Sequence, residues 1–189
     1  MNAISFIKRA LQGGSGGAVQ VADDQPLPVT GGAFSDTVTL TRTADTNAYT
    51  AGDVVGAATG STAALEFDVG STAGGAVLLT TAQLAINLAA VPSGMGNFRL
   101  YLYSVTPPSA LGDNVAWDLP SGDRTAFLGY VDLGTPVDMG STLYVEATHL
   151  DKQVVVPSGG TLYAYLVTQG AYTPSSADVF RITLNSVGL

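Results

Sequence analysis

The sequence predicts an all-β fold, a β-sandwich of jelly-roll type, on three observations. Apolar residues recur at every second position in many short runs, the spacing of a strand with one buried face. Turn residues (Gly, Pro, Ser, Asn) break those runs at intervals of about ten residues. No fixed repeat runs through the chain, which argues against a propeller or solenoid.

Taken in order, Ala3 to Leu11 can form a short helix with Ile4, Ile7 and Leu11 on one face. Such a short helix is marginal in water without packing. GGSGGA at 13–18 is a flexible linker by composition, and VADDQPLPVTGGAF at 21–34 carries two prolines and reads as extended. Residues 1–34 thus form an N-terminal arm and 35–189 the β domain. A sticky segment on a flexible tether suggests docking on another subunit; a frayed terminus or a helix folded back on its own domain is the alternative.

The β domain opens with TVTLTRT at 37–43, then a short strand around Val54 and Val55. ALEFDVG turns Leu65, Phe67 and Val69 inward, and AVLLTTAQLAINL at 76–88 reads as a bent strand or two strands broken near Thr81. Leu84, Ile86 and Leu88 alternate, as do Phe98, Leu100 and Leu102, with VPSGMGN between them. That pattern predicts a hairpin with both apolar faces on one core. Residues 106–123 are polar and irregular, and strand character returns at 126–133. Further strands are expected at Leu143 to Thr148, Leu162 to Thr168 and Val179 to Leu184, with an edge strand at Val154 to Val156.

Composition narrows the function. No apolar run reaches the roughly 18 residues of a membrane-spanning helix, and the N-terminus is not a convincing secretory signal. With no Cys there are no disulfides, thiolate metal sites or thiol nucleophiles. Lys8 and Arg9 are the only charges before Asp23; beyond them stand 15 acids against five bases. Such a body repels nucleic acid, whose binding depends on clustered Lys and Arg.

No catalytic, cofactor or metal site is expected. His149 is the only histidine and sits in EATHLDKQ, which reads as a strand entering a polar turn, and no Gly-x-Ser-x-Gly elbow supplies a nucleophile. Asp113, Asp118, Asp123 and Asp132, with Asn114, gather oxygen ligands, but their spacing does not fit a calcium loop, and Asp and Asn commonly serve as turn caps. Tyr101 and Tyr103 share the outward face of one strand, as do Tyr163 and Tyr165 on another. Such pairs stack sugar rings or form a subunit interface, unless a second layer buries them. The candidate partner-binding residues are therefore these four tyrosines with Ile4, Phe6, Ile7, Lys8, Arg9 and Leu11 of the arm.

FRLYLYSVTPPSALGDNVAW at 98–117, FLGYVDLG at 127–134 and AYTPSSADVFRITL at 171–184 resemble a family of small structural proteins of tailed bacteriophages. TLTRTADTNAYTAGDVVG at 39–56 and the lead-in PLPVT at 26–30 are similar to it as well. The first 20 residues lie outside the pattern. The resemblance implies a non-enzymatic virion component assembled in the host cytoplasm. Its members include capsid decoration (cement) proteins, which bind the major capsid protein or other virion proteins as oligomers, trimers being favoured. Tail or head-fibre proteins also occur there, so a receptor- or glycan-binding module is the alternative.

Overall fold

The computed structural model describes residues 32–57, 63–70, 75–157 and 160–189, which fall within one compact unit. The expected helix at 3–11 and nearly all of the 1–34 arm lie outside the described residues. Every regular element among the described residues is a strand: β1 (Ala33–Thr41), β2 (Val54–Val55), β3 (Leu65–Asp68), β4 (Ala76–Ile86), β5 (Phe98–Tyr103), β6 (Phe127–Gly134), β7 (Val137–Asp138), β8 (Leu143–Val155), β9 (Thr161–Thr168) and β10 (Val179–Gly188).

Two antiparallel sheets hold them. One runs β1-β10-β4-β8-β7; the other runs β2-β9-β5-β6, with β3 also paired to β9. The pairs β5–β6, β4–β8, β3–β9 and β1–β10 are nested in sequence, each enclosing the one before. Nested antiparallel pairs shared between two sheets are the wiring of a jelly roll, a ribbon of paired strands rolled over itself.

The alternation read from sequence sets the core. On β4 the buried residues are Val77, Leu79, Ala82, Leu84 and Ile86; on β10 the buried apolar residues are Phe180, Ile182 and Leu184. Phe98, Leu100 and Leu102 of β5 and Leu162, Ala164 and Leu166 of β9 face them. The rings of Phe98 and Phe180 meet edge to face at 6.2 Å and join the two sheets. Each fully buried large side chain contributes roughly 1.5–3 kcal/mol.

Three expectations are corrected. β4 and β5 share the core but form no hairpin: β4 pairs with β10 and β8, and β5 with β6 and β9. The 87–97 connection carries the chain from one sheet to the other rather than reversing it beside its neighbour. Val154–Val155 is no separate edge strand but the end of β8, which continues through an irregularity where Leu79 pairs Lys152 and Thr81 pairs Thr148. His149 lies in that bulge and not in a terminal turn; it and Asp151 take the left-handed backbone, at φ 55° and 43°.

Candidate functional site

The β5–β6 connection, residues 104–126, lies against the outer face of the second sheet. It is held there at several points. Asn114 N–H donates to the Val54 carbonyl and Val54 N–H to the Val115 carbonyl, both at 2.9 Å, so the connection pairs with β2 like a short extra strand. Ser109 donates through its amide and its hydroxyl to the buried Asp123 carboxylate, which folds the connection on itself. Leu111 N–H donates to the Tyr165 hydroxyl, and that hydroxyl donates to the Ser109 carbonyl, each at 3.1 Å.

A further anchor is ionic. Asp113 accepts Arg42 Nη2 at 3.1 Å, the Tyr49 hydroxyl, and the Gly56 amide at 2.8 Å. Arg42 also reaches Asp45 at 2.9 Å and bonds the Tyr49 oxygen through Nε. Burial alone would lower the Arg42 pKa, yet Tyr49, Asp113 and Asp45 together hold it above its ordinary value. The Tyr49 hydroxyl is driven far above the usual tyrosine range, first by burial and then by its bond to Asp113. A charge pair this fully desolvated is kept only because nearly every oxygen and nitrogen is bonded.

Beneath the connection is a second apolar layer. Tyr101, Tyr103 and Tyr165 are buried in it together with Val54, Val167 and Ala126. Trp117 stacks on Tyr101 at 3.9 Å between ring centres and donates its indole N–H to the Tyr103 hydroxyl at 3.2 Å. Burial pushes the Tyr103 hydroxyl up to about 12. These tyrosines do point outward from the sandwich core, as the alternation predicts, but the chain's own connection covers them. Tyr163 alone of the four is half-buried, beside a shallow depression lined by Ser104, Val105, Thr106, Pro157 and Thr161.

Tyr130, which the sequence did not single out, is the tyrosine that stays most open among the described residues, 48% exposed on the edge strand β6. The Arg99 guanidinium lies 4.8 Å over its ring, Tyr101 packs against it at 5.6 Å, and Arg99 pairs with Asp132 at 3.3 Å. Asn97 donates to both Asp132 oxygens. Tyr130 therefore offers its edge more than a free ring face, and Asp132 is already bonded. Its signal was the cross-strand register opposite Tyr101, which the sequence does not display.

The remaining acids do not converge. Asp113 and Asp123 are consumed internally, and no group of three metal-ligating side chains comes together among the described residues. His149 is exposed, with its ring Nδ1 in hydrogen-bond reach of the Thr148 hydroxyl at 3.1 Å. The arm residues Ile4, Phe6, Ile7, Lys8, Arg9 and Leu11 lie outside the described residues. No helix among the described residues is long and apolar enough to cross a membrane.

No protein-family model matches the chain, and no curated protein does. Among solved structures, the capsid of Ralstonia phage GP4 is similar over 86% of this chain and 88% of that one, at 15% identity and TM-score 0.39. The particle of Israeli acute paralysis virus is similar over 90% and 84%, at 13% identity and TM-score 0.31. A xylanase 10B of Clostridium thermocellum with its CBM22 module is similar over 80% of this chain and 26% of that one, at 8% identity and TM-score 0.28. At TM-scores this low, the jelly-roll assignment rests on this chain's own strand order.

Proposed function

We propose that this chain is a non-enzymatic structural protein of a phage virion, a decoration or cement protein that binds the outside of the head and reinforces it. One observation carries the reading: the polar and aromatic groups that could have made a site are spent on holding the 104–126 connection to the sheet. Asp113, Arg42, Tyr49, Asp123 and Tyr165 bond one another or the backbone. What the molecule offers a partner is broad sheet surface. The sequence resemblance over 98–117, 127–134 and 171–184 supports the same reading.

Its partners are then the major capsid protein or other virion proteins, together with further copies of itself. The tethered segment Ile4 to Leu11 adds a second contact, so that several weak contacts gain strength from effective concentration. The alternative, a receptor- or glycan-binding module of a tail or head fibre, rests on Tyr130 and its polar neighbours. It has the weaker support, since Arg99 already occupies the ring face a sugar would stack on.

Immunogold labelling of intact source particles, with antibody against this chain, tests the proposal. Label spread over the head is the expected result. Label confined to the tail would transfer the role to adsorption, and particles without label would overturn the virion assignment.

A further inference from the structure

The second sheet wears the 104–126 connection on its outer face, whereas the open sheet, β1-β10-β4-β8-β7, wears no described connection. Even the covered face is not covered to its end. The last pair between β5 and β9 is Tyr103 with Tyr163, and β9 begins two residues beyond it, at Thr161. There the chain leaves the sheet at Ser104, while β9 keeps β3 as its partner on the other side. The divergence opens a depression of about 280 Å³. Ser104, Val105 and Thr106 line it on the departing chain, and Pro157, Thr161 and Tyr163 line it opposite.

This lining differs from every other candidate on the molecule in being unspent. The ring faces of Tyr101 and Tyr130 are taken, by Trp117 and by Arg99. Tyr163 packs on the second apolar layer, but no described ring or guanidinium stacks on it. Its hydroxyl and those of Thr106 and Thr161 have no hydrogen-bond partner among the described residues. Ser104 Oγ donates to the Ala126 carbonyl at 3.3 Å and keeps its capacity to accept. No charged side chain lines the depression. Glu66 stands directly opposite Tyr163 on β3, exposed and on the same outward face.

We propose that this depression is a subsite for one neutral sugar ring of a glycan. The chemistry of the lining selects the ligand. A divalent cation seeks carboxylates, and none lines the depression. An anion seeks Arg or Lys, and the charge on this face is instead the carboxylate of Glu66. A wholly apolar ligand would bury several hydroxyls without partners. A sugar ring answers both halves of the lining. Its C–H face lies on an aromatic ring, and its hydroxyls exchange hydrogen bonds with Ser104, Thr106 and Thr161. Volume sets the number of rings, since sites for drug-sized ligands run to roughly 300–1,000 Å³ and this one is smaller. The inference goes beyond the proposed function, because a virion protein on head or tail could carry such a subsite in addition to its structural contacts.

The test is saturation-transfer NMR and calorimetry on the full chain. The probes are the methyl glycosides of glucose, galactose, mannose and N-acetylglucosamine, with methyl glucuronide as the acidic comparison. At least one neutral glycoside is expected to bind with a dissociation constant of about 1 mM, the scale that a ligand of one ring supports. Methyl glucuronide is expected to bind more weakly. Tyr163→Ala is expected to weaken binding by about tenfold or more, with Tyr163→Phe, which keeps the ring, between it and the parent. Thr106→Val and Thr161→Val are each expected to weaken binding by about two- to tenfold. Tyr130→Ala is expected to leave the affinity unchanged, which separates this subsite from the β6 edge. Circular dichroism on each variant separates lost binding from lost folding, and if Tyr163→Ala does not fold, the two threonine variants carry the test. The inference is overturned if no neutral glycoside binds at about ten times the expected constant. Binding that ignores Tyr163→Ala or both threonine variants overturns it too, as does a preference for the glucuronide. Particle labelling can fail while the sugar binds, and sugar binding can fail while labelling stands.

Discussion

The carboxylate of Asp113 and the guanidinium of Arg42 meet at 3.1 Å with both side chains wholly excluded from solvent. Arg42 follows β1, and Asp113 lies in the middle of the β5–β6 connection, 71 residues on. Their pairing ties the cover of one sheet to the end of a strand in the other. Removing Asp113 leaves the buried Arg42 with only the part-exposed Asp45 as counter-charge, and leaves the Tyr49 hydroxyl and the Gly56 amide without their acceptor. Asp113→Ala is expected to cost about 3–5 kcal/mol, measured by urea unfolding. A triple change to apolar residues of similar volume (Asp113→Leu, Arg42→Met, Tyr49→Phe) is expected to recover most of that loss. A single variant as stable as the parent would show that the pair does not hold the connection.

The tyrosines supply a pH prediction. Tyr49, Tyr103 and Tyr172 are all raised chiefly by burial, Tyr103 to about 12 and the other two further. The folded state therefore holds these protons at a pH where the unfolded chain, titrating near 10, has released them. The contribution of these tyrosines to stability is unchanged below about pH 9 and is lost as pH rises through 10 and beyond. Ultraviolet titration of the native protein at about pH 11 should leave at least these three of the eight tyrosines protonated. Full ionisation without loss of structure would contradict it.

Asp178 titrates with the same sign but in the acid range. Burial raises its pKa, partly offset by the Ser175 amide and by Arg42. The native state holds this proton more tightly than the unfolded chain, so the contribution to stability increases as pH falls through the carboxylate range and diminishes as it rises. Against Asp178→Asn, the parent should gain relative stability on moving from about pH 7 to about pH 4. Parallel stability curves for the two proteins would refute the assignment.

Close backbone approach gives a steric prediction. Gly94 has φ +84°, and a Cβ there would run into the Ala171 carbonyl. Gly94→Ala is expected to cost about 1–3 kcal/mol and to loosen the 87–97 and 169–178 connections from each other. Gly122→Ala, where a Cβ meets nothing within 4 Å, is the control and should change stability by less than about 0.5 kcal/mol. Thermal melts of the two variants decide it.

Much of the fold was legible because strand alternation is written in single residues. Leu65, Phe67, Leu84, Ile86, Leu100 and Ile182 all point into the core their spacing implies. What alternation does not encode is the partner. A period of two tells which face of β4 is buried, but not that β4 lies beside β10 and β8 rather than β5. The charged run across His149 to Lys152 hid the continuity of β8, since a bulge breaks the period without ending the strand.

The candidate site was legible in part. The outward facing of Tyr101, Tyr103 and Tyr165 followed from spacing, but their cover did not, because 104–126 has no period to read. Its apolar residues Leu111, Trp117 and Leu119 were the available signal, being the ones that pack on the tyrosines. Arg42 and Asp113 carry no sequence pattern at all; only the fold brings them together. The expectation that residues 4–11 bind a partner lies outside the described residues.

The cover on the second sheet also gives the molecule a back and a front. Ser121 and Gly122 are exposed on the connection, on the side of the sandwich opposite the open sheet. A peptide spliced between them would be carried on the side away from the open sheet, next to a turn that Asp123 already closes through its own backbone bonds. The same stitching that covers Tyr101, Tyr103 and Tyr165 thus leaves a graft point for displayed epitopes.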